Sequence, residues 1–102
     1  MIQKLKYLKW KKTIEKSGLF DNVYYFFTYP DVRRSDINPI KHFIEFGAKE
    51  GRNPSKEFDT IFYLKMYNDV NVNKINPLVH YIIFGENENR KCIKKIRSKE
   101  NK

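Results

Sequence analysis

The chain has 102 residues, of which 40% are hydrophobic and 16% aromatic, and its mean hydropathy is −0.74. This length allows one domain at most, and the aromatic content argues against a disordered chain. The sequence has no apolar run of the roughly 18–20 residues that a membrane-spanning helix needs, and lysines interrupt the N-terminal apolar residues where a secretory signal would lie. The single cysteine, Cys92, excludes an internal disulfide and favours a reducing, cytoplasmic compartment.

The net charge of +9 is concentrated at the two ends of the chain. Residues 1–19 and 91–102 each carry +5, whereas residues 20–90 carry −1. A nucleic-acid-binding domain usually has a basic stripe on its folded face, so this distribution disfavours nucleic acid as a partner. Basic ends indicate contact with an anionic surface, or simple solvation.

The N-terminal segment, residues 1–19, is predicted to contain a basic amphipathic helix over residues 2–17. Its apolar residues fall in two stripes, Ile2-Leu5-Leu8 and Tyr7-Trp10-Ile14. One stripe is expected to pack on the rest of the chain and the other to stay free. Candidate contacts with an anionic membrane surface are Lys4, Lys6, Lys9, Trp10, Lys11 and Lys12, because lysines gain energy near such a surface and Trp suits the interface. The alternative is a solvated helix with a polybasic face.

An internal repeat follows this segment. A shift of 38 residues aligns 20–52 with 58–90 without a gap, and 15 of the 33 aligned positions are identical. We therefore divide the rest of the chain into repeat 1 (20–57), repeat 2 (58–90) and a basic C-terminal tail (91–102).

Each repeat is predicted to begin with a short helix, over about 22–29 in repeat 1 and about 60–67 in repeat 2. Asp21 is a good N-cap, and Phe20 and Tyr25 have the spacing of a hydrophobic staple. Repeat 2 has the same residues at Phe58, Asp59 and Tyr63. Pro30 should end the first of these helices, and a short extra turn is expected at Asp31-Val32 and Asp69-Val70.

A second helix is predicted to start at Asn38-Pro39 and again at Asn76-Pro77, because Asn caps a helix and Pro suits its first position. Gly47 and Gly85 are expected to end these helices in a left-handed conformation. No segment alternates with a period of two for long enough to predict a strand. The predicted fold is all-α: two tandem helix-turn-helix repeats of about 38 residues, preceded by the basic helix.

The repeated motifs resemble a tandem repeat of bacterial glycosyltransferases that build surface polysaccharide, including rhamnan-synthesis-F-like proteins. The family pattern is Phe-Asp-x-x-Tyr-Tyr, Pro-Asp-Val, Asn-Pro-Leu-x-His-Tyr and Gly-x-x-Glu-Gly-Arg, and the resemblance covers residues 17–90. Repeat 2 departs from it at Asn68, where the pattern has Pro, and at Asn89, where it has Gly. The resemblance implies a non-catalytic docking or accessory part of a glycosyltransferase system, at the inner face of the membrane. The implied partner is a glycosyltransferase or another polysaccharide-assembly component.

Polar residues that recur in both repeats are the remaining candidates for a site: Asp21, Asp31, His42 and Arg52 in repeat 1, and Asp59, Asp69, His80 and Arg90 in repeat 2. We interpret them as architectural, since a motif residue present in every copy normally serves packing. The aspartates would cap turns, each histidine would bond a backbone carbonyl, and each arginine would pair with a carboxylate. The alternative is a cluster that grips a sugar or phosphate. Neither histidine has a second ligand at metal-binding spacing.

Catalytic motifs are missing from the sequence. It has no Gly-x-Ser-x-Gly elbow and no Gly-rich phosphate loop, so we predict no catalytic residue, no cofactor and no metal. Cys92 is interpreted as an incidental exposed thiol, although the neighbouring lysines could lower its pKa. Five aromatic residues lie within Tyr24–Tyr29, so some of them must be exposed. Two functions remain as alternatives: a peripheral membrane-surface adaptor that uses the basic ends, and a weak, non-specific nucleic-acid binder.

Overall fold

The structure is a computed structural model that describes residues 2–93. Its helices, in chain order, are α1 (Lys4–Ser17), α2 (Asn22–Thr28), α3 (Pro30–Ser35), α4 (Pro39–His42), α5 (Thr60–Met66), α6 (Asn68–Val72) and α7 (Pro77–His80). A π-helical turn extends α4 over Phe43–Gly47, and another extends α7 over Tyr81–Gly85. The only β pairing among these residues is an isolated bridge between Ser55 and Phe58. The prediction of an all-α fold is therefore confirmed for the part of the chain that the structure describes.

The first helix of each repeat starts at an aspartate cap. Asp21 accepts a hydrogen bond from the backbone amide of Tyr24 at 2.9 Å, which satisfies one of the open amides of the first turn of α2. Phe20 lies before this cap, and its ring centroid is 5.2 Å from that of Tyr25. In α5, Asp59 accepts from Phe62 at 3.0 Å in the same way, and Phe58 packs on Tyr63.

The second helix of each repeat starts at an asparagine cap followed by proline. Asn38 accepts from the amides of Ile40 and Lys41, and the side chain of Asn76 caps α7 with the same two bonds. Each helix then continues into a π-helical turn, in which the hydrogen bond spans five residues instead of four. The amide of Ala48 donates to the carbonyl of Phe43 at 3.0 Å, and the amide of Glu86 donates to the carbonyl of Tyr81 at 2.8 Å.

The prediction of left-handed termini at Gly47 and Gly85 is wrong. The φ angle is positive at Gly18 and Gly51, but not at these two glycines. A methyl group on Gly47 would instead collide with the hydroxyl of Tyr25, and one on Gly85 would collide with the hydroxyl of Tyr63. These positions need glycine because a tyrosine reaches the backbone, not because of their backbone conformation.

A left-handed residue in each repeat lies four positions after the glycine that was predicted to have this conformation. It is Gly51 in repeat 1 and Asn89 in repeat 2, with φ of 77° and 58°. Asn tolerates this conformation better than most residues do. The departure from the family pattern at Asn89 therefore keeps the turn that Gly51 makes.

The core contains residues from both repeats and from α1. Ile14 of α1 is fully buried, and Tyr7 and Trp10 pack against the core beside it. Leu5 and Leu8 remain 66% and 46% exposed. The stripe Tyr7-Trp10-Ile14 therefore docks. Leu5 and Leu8 of the other stripe face outwards, but its third residue, Ile2, packs against the core. Helix α1 contacts α4, α7 and both π-helical turns, so it bridges the second helices of the two repeats.

The repeats also contact each other directly, through the start of α5 and the loop that follows the first π-helical turn. Thr60 is fully buried, and its hydroxyl donates to the carbonyl of Arg52 at 2.7 Å. Its amide donates to the side chain of Asn53 at 2.9 Å. Ile61 lies so close to Gly51 that a Cβ added to Gly51 would be 2.8 Å from the Ile61 side chain.

Among residues 2–93, no helix is long and apolar enough to cross a membrane.

Candidate functional site

A tyrosine–histidine pair is buried in each repeat. The hydroxyl of Tyr25 lies 2.8 Å from Nδ1 of His42, and the hydroxyl of Tyr63 lies 2.8 Å from Nδ1 of His80. Each histidine thus bonds a tyrosine, and the predicted bond to a backbone carbonyl is wrong. Burial lowers the pKa of both imidazoles and raises the pKa of both phenols. All four side chains are therefore neutral near pH 7.

The predicted arginine–carboxylate pair is present in each repeat. Arg52 donates two hydrogen bonds to the carboxylate of Asp31, both of 2.8 Å, and a third contact of 2.9 Å reaches Glu50. Its guanidinium lies 4.7 Å from the ring centroid of Tyr29, which adds a cation–π contact. The hydrogen bonds from Arg52 lower the pKa of Asp31 to about 2.

Repeat 2 has the same arrangement around Arg90. This residue donates two bonds of 2.9 Å to Asp69 and contacts Glu88 at 2.7 Å, and it lies 4.7 Å from the ring of Tyr67. Asp31 and Asp69 were predicted to cap turns, but their carboxylates bind arginine. Of the four repeated aspartates, only Asp21 and Asp59 cap a helix with the side chain.

These polar side chains bind one another. An anionic sugar or phosphate would have to displace Asp31 from Arg52, and a ligand at Nδ1 of either histidine would have to displace the tyrosine. Within residues 2–93, no group of three His, Cys, Asp or Glu is placed to hold a metal ion. The geometry favours the architectural interpretation of the repeated residues.

The lysines of α1 lie on and beside its outward face. Lys4, Lys9 and Lys12 are exposed, Lys11 pairs with Glu15 at 3.0 Å, and Lys6 lies 5.2 Å from the ring centroid of Trp10. Trp10 is partly buried against the core. The outward apolar residues of this helix are Leu5 and Leu8 instead.

A groove runs between α1 and the repeats. It is lined by Trp10, Ile44, Lys49 and Lys74, and its floor includes Asn76. The side-chain nitrogen of Asn76 is buried and has no hydrogen-bond partner among the described residues. The corresponding asparagine of repeat 1, Asn38, is exposed.

Helix α2 carries the largest exposed apolar residues of repeat 1. Val23 is 67% exposed and Phe27 is 66% exposed, and Phe26 beside them is 36% exposed. The helix contains no charged residue. Sequence analysis predicted that some aromatic residues here would be exposed, and the structure identifies them as Phe26 and Phe27.

Cys92 does not have the predicted exposed thiol. The residue is half-buried, its Sγ donates to the carbonyl of Glu57 at 3.3 Å, and burial raises the pKa of the thiol. Of the neighbouring lysines, Lys94 and Lys95 lie outside the described residues, as does most of the predicted basic tail.

Comparisons of the chain with protein-family models, with curated proteins and with solved structures gave no match.

Two features of the site were missed in the sequence. The tyrosine–histidine bond could have been inferred, because tyrosine and histidine recur 17 residues apart in both repeats, as Tyr25/His42 and Tyr63/His80. The close approach of each tyrosine to a glycine left no local signal, since it depends on the packing of two helices.

Proposed function

We propose that the chain is a non-catalytic helical docking module, acting as an accessory part of a bacterial glycosyltransferase system for surface polysaccharide. The observation that carries this proposal is that the repeated polar residues bind each other. Asp31 with Arg52 and Tyr25 with His42 form hydrogen-bonded pairs, so these groups are engaged with each other inside the repeat. The motifs shared with the glycosyltransferase-associated repeats supply the proposed context.

The exposed surface supports a docking role. Apolar side chains on α2 and α1 are exposed, among them Val23, Phe27 and Leu5. Exposed apolar groups of this kind are common where one protein binds another. The partner that the proposal names is a glycosyltransferase or another component of polysaccharide assembly.

A reconstitution experiment tests the proposal. Membranes from a strain of the source organism that lacks the chain should incorporate less labelled sugar from nucleotide-sugar donors into polysaccharide, and the purified chain should restore incorporation. The chain alone should neither hydrolyse nor transfer these donors. Unchanged incorporation in the deletion strain would contradict the docking role, and turnover by the purified chain would contradict the non-catalytic one.

A second candidate function, binding to an anionic membrane surface, is favoured by the outward face of α1. Leu5 and Leu8 are exposed there among lysines that include Lys4, Lys9 and Lys12. An interfacial helix inserts such apolar residues while its lysines contact anionic lipids.

Vesicle sedimentation distinguishes this candidate. The chain should sediment with vesicles of anionic phospholipid at low salt, and Lys9→Glu together with Lys12→Glu should release it. A matched control is Lys65→Glu, at an exposed lysine outside α1. No sedimentation, or equal release by the control variant, would argue against a membrane function for α1.

A further inference from the structure

We propose that a second copy of the chain binds head to tail, with repeat 1 of one copy stacked on repeat 2 of the other. The head surface consists of Asn22, Val23, Phe26, Phe27 and Arg33. The tail surface consists of Glu86, Asn87, Glu88, Asn89 and the backbone carbonyl of Arg90. This contact would continue, between two molecules, the packing that already joins the two repeats within one molecule.

The internal contact provides the template. The start of α5 packs on the loop Ala48–Arg52, where Thr60 donates to the carbonyl of Arg52 and Ile61 covers Gly51. Leu64 and Asn71 of repeat 2 line the same boundary. A shift of 38 residues turns the repeat 2 side of this boundary into the head surface, and the repeat 1 side into the tail surface.

The head surface is uncovered in the described chain. Thr60 is fully buried at the internal boundary, whereas its counterpart Asn22 is exposed. Leu64 is half-buried, and its counterpart Phe26 is 36% exposed. The counterpart of Phe27 is Lys65, an exposed residue at the rim of the internal boundary, so the head surface carries an aromatic ring where repeat 2 carries a charge. An end repeat that stays alone normally has a polar outer face, so this surface requires an explanation.

A hydrogen bond of the internal boundary can form again between the two surfaces. The side-chain amide of Asn22 can donate to the carbonyl of Arg90 as the Thr60 hydroxyl does to that of Arg52.

Charge also matches, although the molecule as a whole is strongly basic. Ala48 and Asn71 line the same boundary inside the chain, and their counterparts are Glu86 and Arg33. Arg33 donates to the carbonyl of Phe26 at 3.1 Å, next to the exposed rings, and neither it nor Glu86 has an ion-pair partner among residues 2–93. Opposite charges at these two positions favour a second copy of this chain as the occupant.

A contact between two different surfaces of identical molecules does not close on itself unless the rotation forms a ring. Association should therefore proceed beyond the dimer as concentration rises. Sedimentation velocity at physiological salt, over a concentration range of about a hundredfold, should show a weight-average mass that keeps increasing. A mass that stays at the monomer throughout overturns the proposal.

The variant Phe27→Lys, which introduces the residue found at position 65, should weaken association at least about fivefold, since the head surface loses its most exposed aromatic ring. Leu5→Lys is the matched control, because Leu5 is equally exposed at 66% but lies on α1. Equal weakening by the control, or no weakening by Phe27→Lys while it remains folded by circular dichroism, overturns the proposal.

A charge exchange tests the orientation and does not depend on Phe27. Arg33→Glu and Glu86→Arg should each reduce self-association, because each variant places like charges at the contact. An equimolar mixture should associate again, since the head of the first variant then meets the tail of the second with opposite charge. A mixture that stays as weak as the separate variants overturns the head-to-tail geometry.

Discussion

The hydroxyl of Tyr25 occupies the space that a side chain on Gly47 would need, and Tyr63 does the same at Gly85. Gly47→Ala should therefore lower the free energy of unfolding by about 1–3 kcal/mol, through overpacking. Removing the hydroxyl relieves the collision, so the double variant Gly47→Ala, Tyr25→Phe should be more stable than the sum of the two single changes implies. Urea denaturation of the four proteins measures this coupling.

Gly18→Ala provides the control for that experiment. Gly18 has a positive φ of 75° but no atom within 4 Å of the added Cβ, so its substitution strains the backbone alone. The loss of stability at Gly18 should be the same with Tyr25 or Phe at position 25. If Tyr25→Phe rescued both glycine variants equally, the close approach of the tyrosine would not be the cause.

The buried histidines make stability depend on pH. Burial lowers the pKa of His42 and His80 in the folded state, so below about pH 6.5 the unfolded chain binds more protons than the folded one. Stability is thus fully present above pH 6.5 and falls as the pH drops, by up to about 1.4 kcal/mol per pH unit for each histidine.

Urea denaturation between pH 7.5 and pH 5 checks this dependence, and His42→Gln should reduce its slope by up to half because glutamine does not titrate. A slope unchanged by His42→Gln would contradict the assignment of this pH dependence to the buried histidines.

A second loss of stability is expected in more acidic solution, since Arg52 lowers the pKa of Asp31 to about 2 and Arg90 also lowers the pKa of Asp69. That contribution is present above about pH 4 and disappears as the pH falls towards 2.

At the residue scale, the sequence predicted what depends on neighbours in the chain. The caps at Asp21 and Asn38 were predicted because each bonds amides within three residues of itself. The bond between His42 and Tyr25 and the need for glycine at position 47 were not predicted, because both depend on how α2 crosses α4. A pair between Arg52 and a carboxylate was predicted, but its partner Asp31 was predicted to cap a turn instead.

At the scale of the elements, α1 is held by one of its two apolar stripes. Ile14→Ala should lower the free energy of unfolding by about 2–5 kcal/mol, because Ile14 is fully buried where α1 packs on the repeats. Leu5→Ala, on the outward stripe, should change it by less than about 0.5 kcal/mol. Thermal and urea denaturation of both variants compare the two stripes, and similar losses would show that α1 is docked differently.

The sequence predicted α1 and its two stripes, but not which of them docks. Both stripes contain three apolar residues, and the choice depends on the shape that α4 and α7 present together. The π-helical turns were also missed. Their hydrogen bonds span five residues instead of four, and no residue type within Phe43–Gly47 distinguishes them from an ordinary helical turn.

At the scale of the whole molecule, α1 contacts both repeats, so we expect the two repeats to unfold as one cooperative unit. Phe58→Ala should lower the free energy of unfolding by about 3–5 kcal/mol, since Phe58 is only 1% exposed, and Phe20→Ala should lower it by less because Phe20 is half-buried. Both variants should still unfold in a single transition. Calorimetry and circular dichroism should give coincident curves, and two separate transitions would contradict the bridging role of α1.

The position of α1 also affects how the chain is made. Proteins are synthesised from the N-terminus, so this helix leaves the ribosome well before α7 and the second π-helical turn exist. Until then Ile14 and Trp10 lack the contacts that α7 and that turn provide. We expect the lysines around them to keep the nascent segment soluble during this interval, so the charges of the folded surface would also protect the chain while α7 is still being translated.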